Sequence, residues 1–272
     1  MRSVKIKEVI DALERFAPLP LQEEYDNAGL QVGLTEAEVS GALLCLDVTE
    51  RVVDEAITKG CNLIVAHHPL IFRKLSQVTD ANYVQRTVIK AIKNDIVIVA
   101  MHTNLDAAFG GVNFKIAERL GLRDVRFFGR EKVVTNPLTD KKVTGGDGVI
   151  GCFDTPLAAD DLILLLKKEF DVECVQANEL LRREIQTVAL CGGSGSFLLQ
   201  DAINAGADAF ITGEMGYHEF FGHEQEIQLC VIGHYQSEQY TTEVLRDVIE
   251  RDCPGVKCCI SEINTNPIVY FS

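Results

Sequence analysis

Residues 55–68 read EAITKGCNLIVAHH, and this segment contains the main sequence signals for the fold. It contains the end of a helical pattern, a glycine that can stop the helix, a short apolar run and two adjacent histidines. A continuous apolar run of this length predicts a strand buried on both faces. Residues 42–48 (ALLCLDV) and 96–101 (IVIVAM) predict the same kind of strand, with helices at 50–59 and 82–93. This alternation predicts an α/β protein with a largely parallel sheet.

The second half of the chain repeats the pattern. Residues 201–214 (DAINAGADAFITGE) align with 55–68, and residues 229–238 (LCVIGHYQSE) align with 96–106 (IVIVAMHTNLD). Two strand–helix–strand units look alike in any α/β protein, because each needs a glycine after its helix and an apolar strand. An internal duplication also explains why His-x-x-x-Asp at 102–106 is matched by His-x-x-x-Glu at 234–238. We therefore predict two similar βα-repeat lobes, residues 1–124 and 125–272, with no large inserted domain between them.

Several local patterns add to this prediction. An apolar stripe predicts a helix over 4–16, and Thr49 is a suitable N-cap for the next helix. The charged and glycine-containing residues 124–147 predict an irregular boundary. Residues 216–226 are predicted to be helical, and residues 267–271 are predicted to form a strand.

Composition excludes some classes of function. The chain has 272 residues and a formal net charge of −14, which disfavours binding to nucleic-acid polymers and to anionic membrane surfaces. Its nine cysteines include no CxxC pair and lie mostly in apolar runs, which favours reduced thiols in the cytoplasm over a thiolate metal site or a redox centre. The apolar runs are too short for a signal peptide or a membrane span.

Histidines mark the candidate site. Four of the six histidines directly follow a predicted buried strand; they are His67, His68, His102 and His234. Ligands of α/β proteins bind beyond the carboxyl ends of the strands. Asp106 and Glu238 add carboxylate oxygens, and mixed imidazole and carboxylate ligation suits divalent Zn, Mn or Fe. The same histidines are also compatible with a hydrogen-bonded, pH-sensitive polar cluster without metal.

Two further motifs have open roles. Residues 192–196 (GGSGS) follow a predicted strand, where they either cradle a phosphate or form a tight turn capped by Ser194 or Ser196. Glu214 and His218 are four residues apart, so they either line the site from one helix face or form a surface pair.

Five motifs occur in order over nearly the whole chain: YDNAGLQVG (25–33), AHHPLIF (66–72), HTNLDAAFGGVN (102–113), ITGEMGYHE (211–219) and GHYQSE (233–238). Together they resemble the Nif-three-like (NGG-one-interacting-factor-three-like) family, many members of which are labelled GTP cyclohydrolase I type 2 homologs. The resemblance implies a two-lobed α/β fold with a dinuclear metal site in a cleft, assembled as a homohexamer. It implies five metal ligands, namely His67, His68, Asp106, His234 and Glu238, with His102 as an outer-shell or substrate contact. Tyr25 stands where the first motif often has Trp, which we interpret as a packing change.

The first functional hypothesis is a metal-dependent hydrolase with two divalent ions per chain. His102 or Glu214 would act as its general acid or base, and its small-molecule substrate would be a nucleotide or another phosphorylated metabolite. GTP ring opening is suggested by the resemblance alone. The alternative is a non-enzymatic metal-handling or protein-interaction factor, in which the metal ions have no open coordination position.

Overall fold

A computed structural model describes residues 3–271 of the chain. Contacts divide the chain into two compact units. Unit 1 comprises the residues up to Ala108 together with Val134–Val143 and Thr241–Ile268, and unit 2 comprises Phe109–Val133, Thr144–Tyr240 and the residues from Val269 onward. The chain therefore passes between the units several times. The sequence, in contrast, predicted a single boundary at 124/125. The reason is that the last helix and the last strand return to the first sheet.

Strands and helices alternate along most of the chain. The strands are β1 (Gly29–Val32), β2 (Ala42–Cys45), β3 (Leu63–Ala66), β4 (Val97–Ala100), β5 (Arg123–Thr135), β6 (Lys142–Leu157), β7 (Gln176–Ala177), β8 (Ile185–Cys191), β9 (Ala209–Thr212), β10 (Gln228–Val231) and β11 (Cys258–Ile260). The α-helices are α1 (Ile6–Phe16), α2 (Glu50–Lys59), α3 (Tyr83–Lys93), α4 (Thr103–Asp106), α5 (Val112–Leu120), α6 (Ala159–Glu169), α7 (Leu199–Asn204), α8 (His234–Glu238) and α9 (Thr241–Asp252).

The first sheet has the strand order β1-β4-β3-β2-β11. Strands β11, β2, β3 and β4 run parallel, and β1 pairs antiparallel with β4 at the edge. All residues of β2, β3 and β4 are buried, as their continuous apolar runs predict. Apolar side chains of α2 and α3, including Val52, Val53 and Val88, cover one face of this sheet.

The second sheet has the order β5-β6-β8-β9-β10-β7. Strands β8, β9 and β10 run parallel, and the short strand β7 pairs antiparallel with β10. This part of the sheet has the same arrangement as β1-β4-β3-β2 in the first sheet. The α/β prediction and the prediction of two similar βα repeats are therefore confirmed.

The helix ends follow the local sequence signals. The side-chain oxygen of Thr49 accepts a hydrogen bond from the Val52 N–H at the start of α2, as predicted. Gly60 ends this helix in the left-handed conformation, with φ +68°. Helix α1 begins at Ile6, two residues later than predicted, and buries Ile6, Val9 and Leu13 from its apolar stripe.

Three local predictions were wrong. Residues 124–147 lie mostly in the long strands β5 and β6. The strand β5 was not predicted because it exposes most of its residues and so lacks the apolar run that would indicate a strand. Within 216–226 only Tyr217–Phe220 is helical, as a 3-10 turn, because the backbone of Phe221 is extended and Gly222 after it takes a positive φ. Among the described residues, 267–271 form no strand. No helix within residues 3–271 is long and apolar enough to cross a bilayer.

Candidate metal centre

His67 lies one residue beyond the carboxyl end of β3 and is completely buried. Its Nδ1 is 2.8 Å from the carbonyl oxygen of Met101. Because a carbonyl oxygen only accepts hydrogen bonds, Nδ1 carries the proton, and the lone pair of the neutral ring is on Nε2. That Nε2 atom is 3.6 Å from Oδ1 of Asp106, at the end of α4. The backbone thus fixes both the orientation and the tautomer of this ring.

His68 is held by a carboxylate. Its Nδ1 is 2.8 Å from Oδ1 of Asp47, whose second oxygen accepts a hydrogen bond of 2.7 Å from the Thr265 hydroxyl. Burial alone would raise the pKa of Asp47, but the hydrogen bond and charge of His68, with the Thr265 bond, hold that pKa below its ordinary value. Asp47 is therefore an ionised acceptor that orients the ring of His68.

His102 is held in the same way from another part of the chain. Its Nδ1 is 2.7 Å from Oδ1 of Asp26, and the other oxygen of Asp26 accepts hydrogen bonds from the Thr103 N–H and hydroxyl. Burial opposes ionisation of Asp26, but the bonds from His102 and Thr103 outweigh it and lower its pKa to about 2.

These three rings form one cluster in unit 1. The ring centroids are 4.8 Å apart for His67 and His68, and 5.4 Å apart for each of these with His102. One ligand nitrogen from each residue lies within 4.8 Å of the other two, a spacing that can hold a metal ion. In metal sites, a ligating histidine usually donates its other N–H to a carboxylate or a backbone carbonyl. All three rings have such a partner on Nδ1, so the cluster fits a divalent ion by its donor chemistry.

Unit 2 holds a second histidine–carboxylate group. His234 begins α8 just beyond β10, and its Nδ1 is 3.0 Å from Oε1 of Glu214. Its Nε2 is 3.1 Å from Oε2 of Glu238, which lies one helical turn further along and is buried. The other oxygen of Glu214 accepts a hydrogen bond from the Ser194 hydroxyl. His234 is thus oriented by Glu214 through Nδ1, and its Nε2 lies beside a carboxylate oxygen of Glu238.

Residues 192–196 close tightly around this group. Gly193 has φ +58°, and a Cβ there would overlap Oε1 of Glu238 and lie 3.3 Å from its Cδ. A Cβ on Gly213 would lie only 2.7 Å from the carbonyl oxygen of Gly193. The Gly193 N–H donates to the Ser237 hydroxyl at 2.9 Å, so this amide is not directed at a phosphate. The glycines therefore allow close approach of the backbone to Glu238.

The predicted serine cap was wrong. The 3-10 helix at Ser196–Leu198 has Gly195 as its N-cap and no side-chain cap. Ser194 contacts Glu214 instead.

The structure brings together most of the predicted site residues within each unit. Unit 1 gathers His67, His68, His102 and Asp106, and unit 2 gathers Glu214, His234 and Glu238. His218 does not join Glu214 on a shared helix face, since its ring packs against Tyr217 and Phe221.

Sequence reasoning missed the carboxylate partners Asp26 and Asp47. For Asp47 there was a usable signal, because it follows β2 closely and β2 is adjacent to β3 in a parallel sheet. Asp26 lies 76 residues before His102, and nothing in its local pattern links the two.

An α/β protein with histidine–carboxylate pairs beyond its strand ends is the class that the fold and the site define. The family model described as Duf34/NIF3 (NGG1p interacting factor 3) matches residues 4–267, and the chain belongs to this family.

Named relatives and solved structures agree with this assignment. The chain is 34% identical over 271 residues to the GTP cyclohydrolase 1 type 2 homolog of Clostridium perfringens, covering 98% of this chain and 100% of that protein. The Clostridium acetobutylicum protein of the same name is 32% identical over 250 residues, covering 91% of this chain and 90% of the relative. The crystal structure of a Bacillus cereus protein related to NIF3 matches with a TM-score of 0.86 and 25% identity, covering 100% of both chains. A Staphylococcus aureus hypothetical protein matches with a TM-score of 0.88 and 28% identity, covering 99% of this chain and 100% of the other.

Proposed function

We propose that this chain binds two divalent metal ions and is a metal-dependent hydrolase acting on a nucleotide or another phosphorylated metabolite. One observation carries the proposal. The clustered rings of His67 and His68 are each anchored through Nδ1 by an oxygen acceptor, which leaves Nε2 as the ligand atom, and His102 beside them is oriented through Nδ1 in the same way. A polar cluster that served only stability would not need this common orientation.

The proposed ligands come from both groups of residues: His67, His68 and Asp106 in unit 1, and His234 and Glu238 in unit 2. Within unit 1, the 3.6 Å between His67 Nε2 and Asp106 Oδ1 supports the assignment. Within unit 2, the 3.1 Å between His234 Nε2 and Glu238 Oε2 supports it. This set of five ligands is the one that the family resemblance implies.

The donor set indicates which metals to test. Imidazole nitrogens and carboxylate oxygens suit Zn, Mn or Fe better than metals that prefer thiolates. When bound, such ions act as Lewis acids and make water a nucleophile at neutral pH. No cysteine belongs to this ligand set, and we propose a cytoplasmic location for the protein, the reducing compartment that its cysteine usage favours.

We assign proton transfer to His102 and a positioning role to Glu214. His102 is oriented by Asp26, as a general base is oriented by a third group in other hydrolases, and its side chain is 17% exposed. Both oxygens of Glu214 are already engaged, one by His234 and one by Ser194. Glu214 therefore orients His234 and does not take up a proton from the substrate.

The names of the relatives make GTP the first substrate to test. Wild-type protein reconstituted with Zn, Mn or Fe is incubated with GTP and other nucleotides, and products are separated by chromatography. We expect turnover that falls about 100- to 10,000-fold in His102→Gln, with metal content unchanged. His223→Gln is the matched control, because His223 is also paired through Nδ1 with a carboxylate, that of Glu226 at 2.9 Å, but lies outside both groups.

Two outcomes would change the assignment. Loss of metal in His102→Gln would make His102 a ligand and not the proton carrier. Absence of turnover by fully loaded wild-type protein with every nucleotide would favour the metal-handling function. The homohexamer that the resemblance implies is a separate proposal, which the mass from light scattering during size-exclusion chromatography tests.

A further inference from the structure

Two exposed aromatic rings lie beside the histidine cluster of unit 1. Tyr25 is 68% exposed and Phe72 is 45% exposed, although large apolar rings usually lie in the interior. Their centroids are 6.4 Å apart with an interplanar angle of 67°. The ring of Phe72 is also 6.1 Å from that of His102, at an angle of 88°. We call Tyr25 and Phe72 the aromatic wall.

The backbone next to the aromatic wall is held rigidly. The side-chain amide of Asn27 donates to the carbonyl oxygen of Ile71 at 2.6 Å, and the Ile71 N–H donates to the side-chain oxygen of Gln31 at 3.1 Å. Asp26, which follows Tyr25, is hydrogen-bonded to His102. The segments that carry the two rings are thus tied to each other and to the cluster. Because the backbone segments that carry the rings are already tied together, less conformational freedom is lost when a ligand binds there.

Two cationic residues follow Phe72 of the aromatic wall in the sequence. Arg73 and Lys74 come next after Phe72, and both are exposed. This is a local pair of cations on a chain whose formal net charge is −14. An exposed aromatic pair followed in the chain by two exposed cations is complementary to a ligand that has both a planar ring and a phosphate.

We propose that the aromatic wall binds the base of a nucleotide, while Arg73 and Lys74 attract its phosphate. This inference rests on the proposed function and deepens it, because it assigns residues to recognition of the base. It also revises the interpretation of Tyr25 as a packing change: at 68% exposure this ring contributes little to the core. Tyr and Trp share a planar face on which a base can stack.

Binding is measured by calorimetry on the full-length protein as purified, with three probes: guanosine 5′-monophosphate, guanosine and ribose 5-phosphate. We expect Phe72→Leu and Tyr25→Leu each to weaken binding of guanosine 5′-monophosphate about 5- to 150-fold and to leave ribose 5-phosphate binding unchanged. The double variant Arg73→Gln/Lys74→Gln should weaken both phosphate-bearing probes and spare guanosine. Tyr83→Leu is the matched control, since Tyr83 is 57% exposed in the same unit and is expected to have no effect.

Three outcomes overturn the inference. The first is wild-type protein that binds no guanosine 5′-monophosphate, and the second is equal binding by wild type and both wall variants. The third is a change of oligomeric state in the wall variants with unaltered nucleotide binding, which would make the wall a contact between copies of this chain. Elemental analysis of the same samples separates the two proposals. Nucleotide binding by protein that holds no metal would support the aromatic wall and contradict the metal-dependent hydrolase. Bound metal without nucleotide binding would support the metal site and contradict the aromatic wall.

Discussion

A methyl group at position 193 is the most specific perturbation of the site in unit 2. Gly193 takes φ +58°, and an added Cβ would overlap Oε1 of Glu238 and lie 3.4 Å from Cε1 of His234. The left-handed conformation costs a non-glycine residue about 1–2 kcal/mol. The overlap adds to this, because the side chain of Glu238 is only 5% exposed and must move within a packed site.

Gly206→Ala separates the two effects. Gly206 has φ +74°, and no atom lies within 4 Å of a Cβ built there. We expect Gly206→Ala to lower the free energy of unfolding by about 1 kcal/mol and Gly193→Ala by about 1–3 kcal/mol more, from strain and a displaced buried carboxylate. Chelator competition should show at least a tenfold loss of metal affinity in Gly193→Ala alone.

The measurements are thermal unfolding in EDTA, for the metal-free stability, and Zn²⁺ competition against a chelator. Equal metal affinity of the two alanine variants, together with equal stability, would refute the conclusion that residues 192–196 shape the position of Glu238.

Three further predictions concern other parts of the chain. Asp47→Asn should weaken metal binding about 10- to 100-fold with little change in stability, because the amide holds His68 less well than a carboxylate does; chelator competition measures it. Asp208→Asn should lower the free energy of unfolding by about 1.5–3 kcal/mol at neutral pH, as measured by urea titration. Burial would raise the pKa of Asp208, but the Thr187 and Gln186 N–H groups and Arg183 hold it below its ordinary value. A lowered folded-state pKa stabilises the fold above the unfolded pKa of about 3.9, and this contribution is lost as pH falls through the folded pKa. Phe210→Ala should cost about 3–5 kcal/mol by urea titration, because this ring is completely buried.

Each of these has a result that would contradict it. Unchanged metal affinity in Asp47→Asn would remove its role in orienting His68. A stability difference for Asp208→Asn that stays constant from pH 7 to pH 2 would mean that its charge is not the cause. Phe197 is 65% exposed, so Phe197→Ala should cost far less than Phe210→Ala, and equal losses would contradict the assignment of the core.

The parallel sheets and the strand-end histidines could be predicted because both follow from short-range patterns. The strands β2, β3 and β4 are buried on both faces, so the sequence of each is a continuous apolar run. A histidine directly after such a run must lie at the carboxyl edge of the sheet. That reasoning placed His67, His68 and His102 at one edge, and their rings form one cluster.

The carboxylates that orient the rings could not be predicted in the same way. Asp26 lies in a loop, and its approach to His102, 76 residues further along, depends on the tertiary path of the chain. The strand β5 was missed for a different reason: only one of its residues is fully buried, so the period-two pattern of a half-buried strand is absent.

Metal content per chain decides whether the proposed metal site exists. Purified wild-type protein and Glu238→Gln are reconstituted with Zn, Mn or Fe, freed of excess metal and measured by elemental analysis, with His223→Gln as the control. We predict about two ions per chain in the wild type and the control, and fewer in Glu238→Gln. Wild-type protein that retains no metal after reconstitution with any of the three would contradict it.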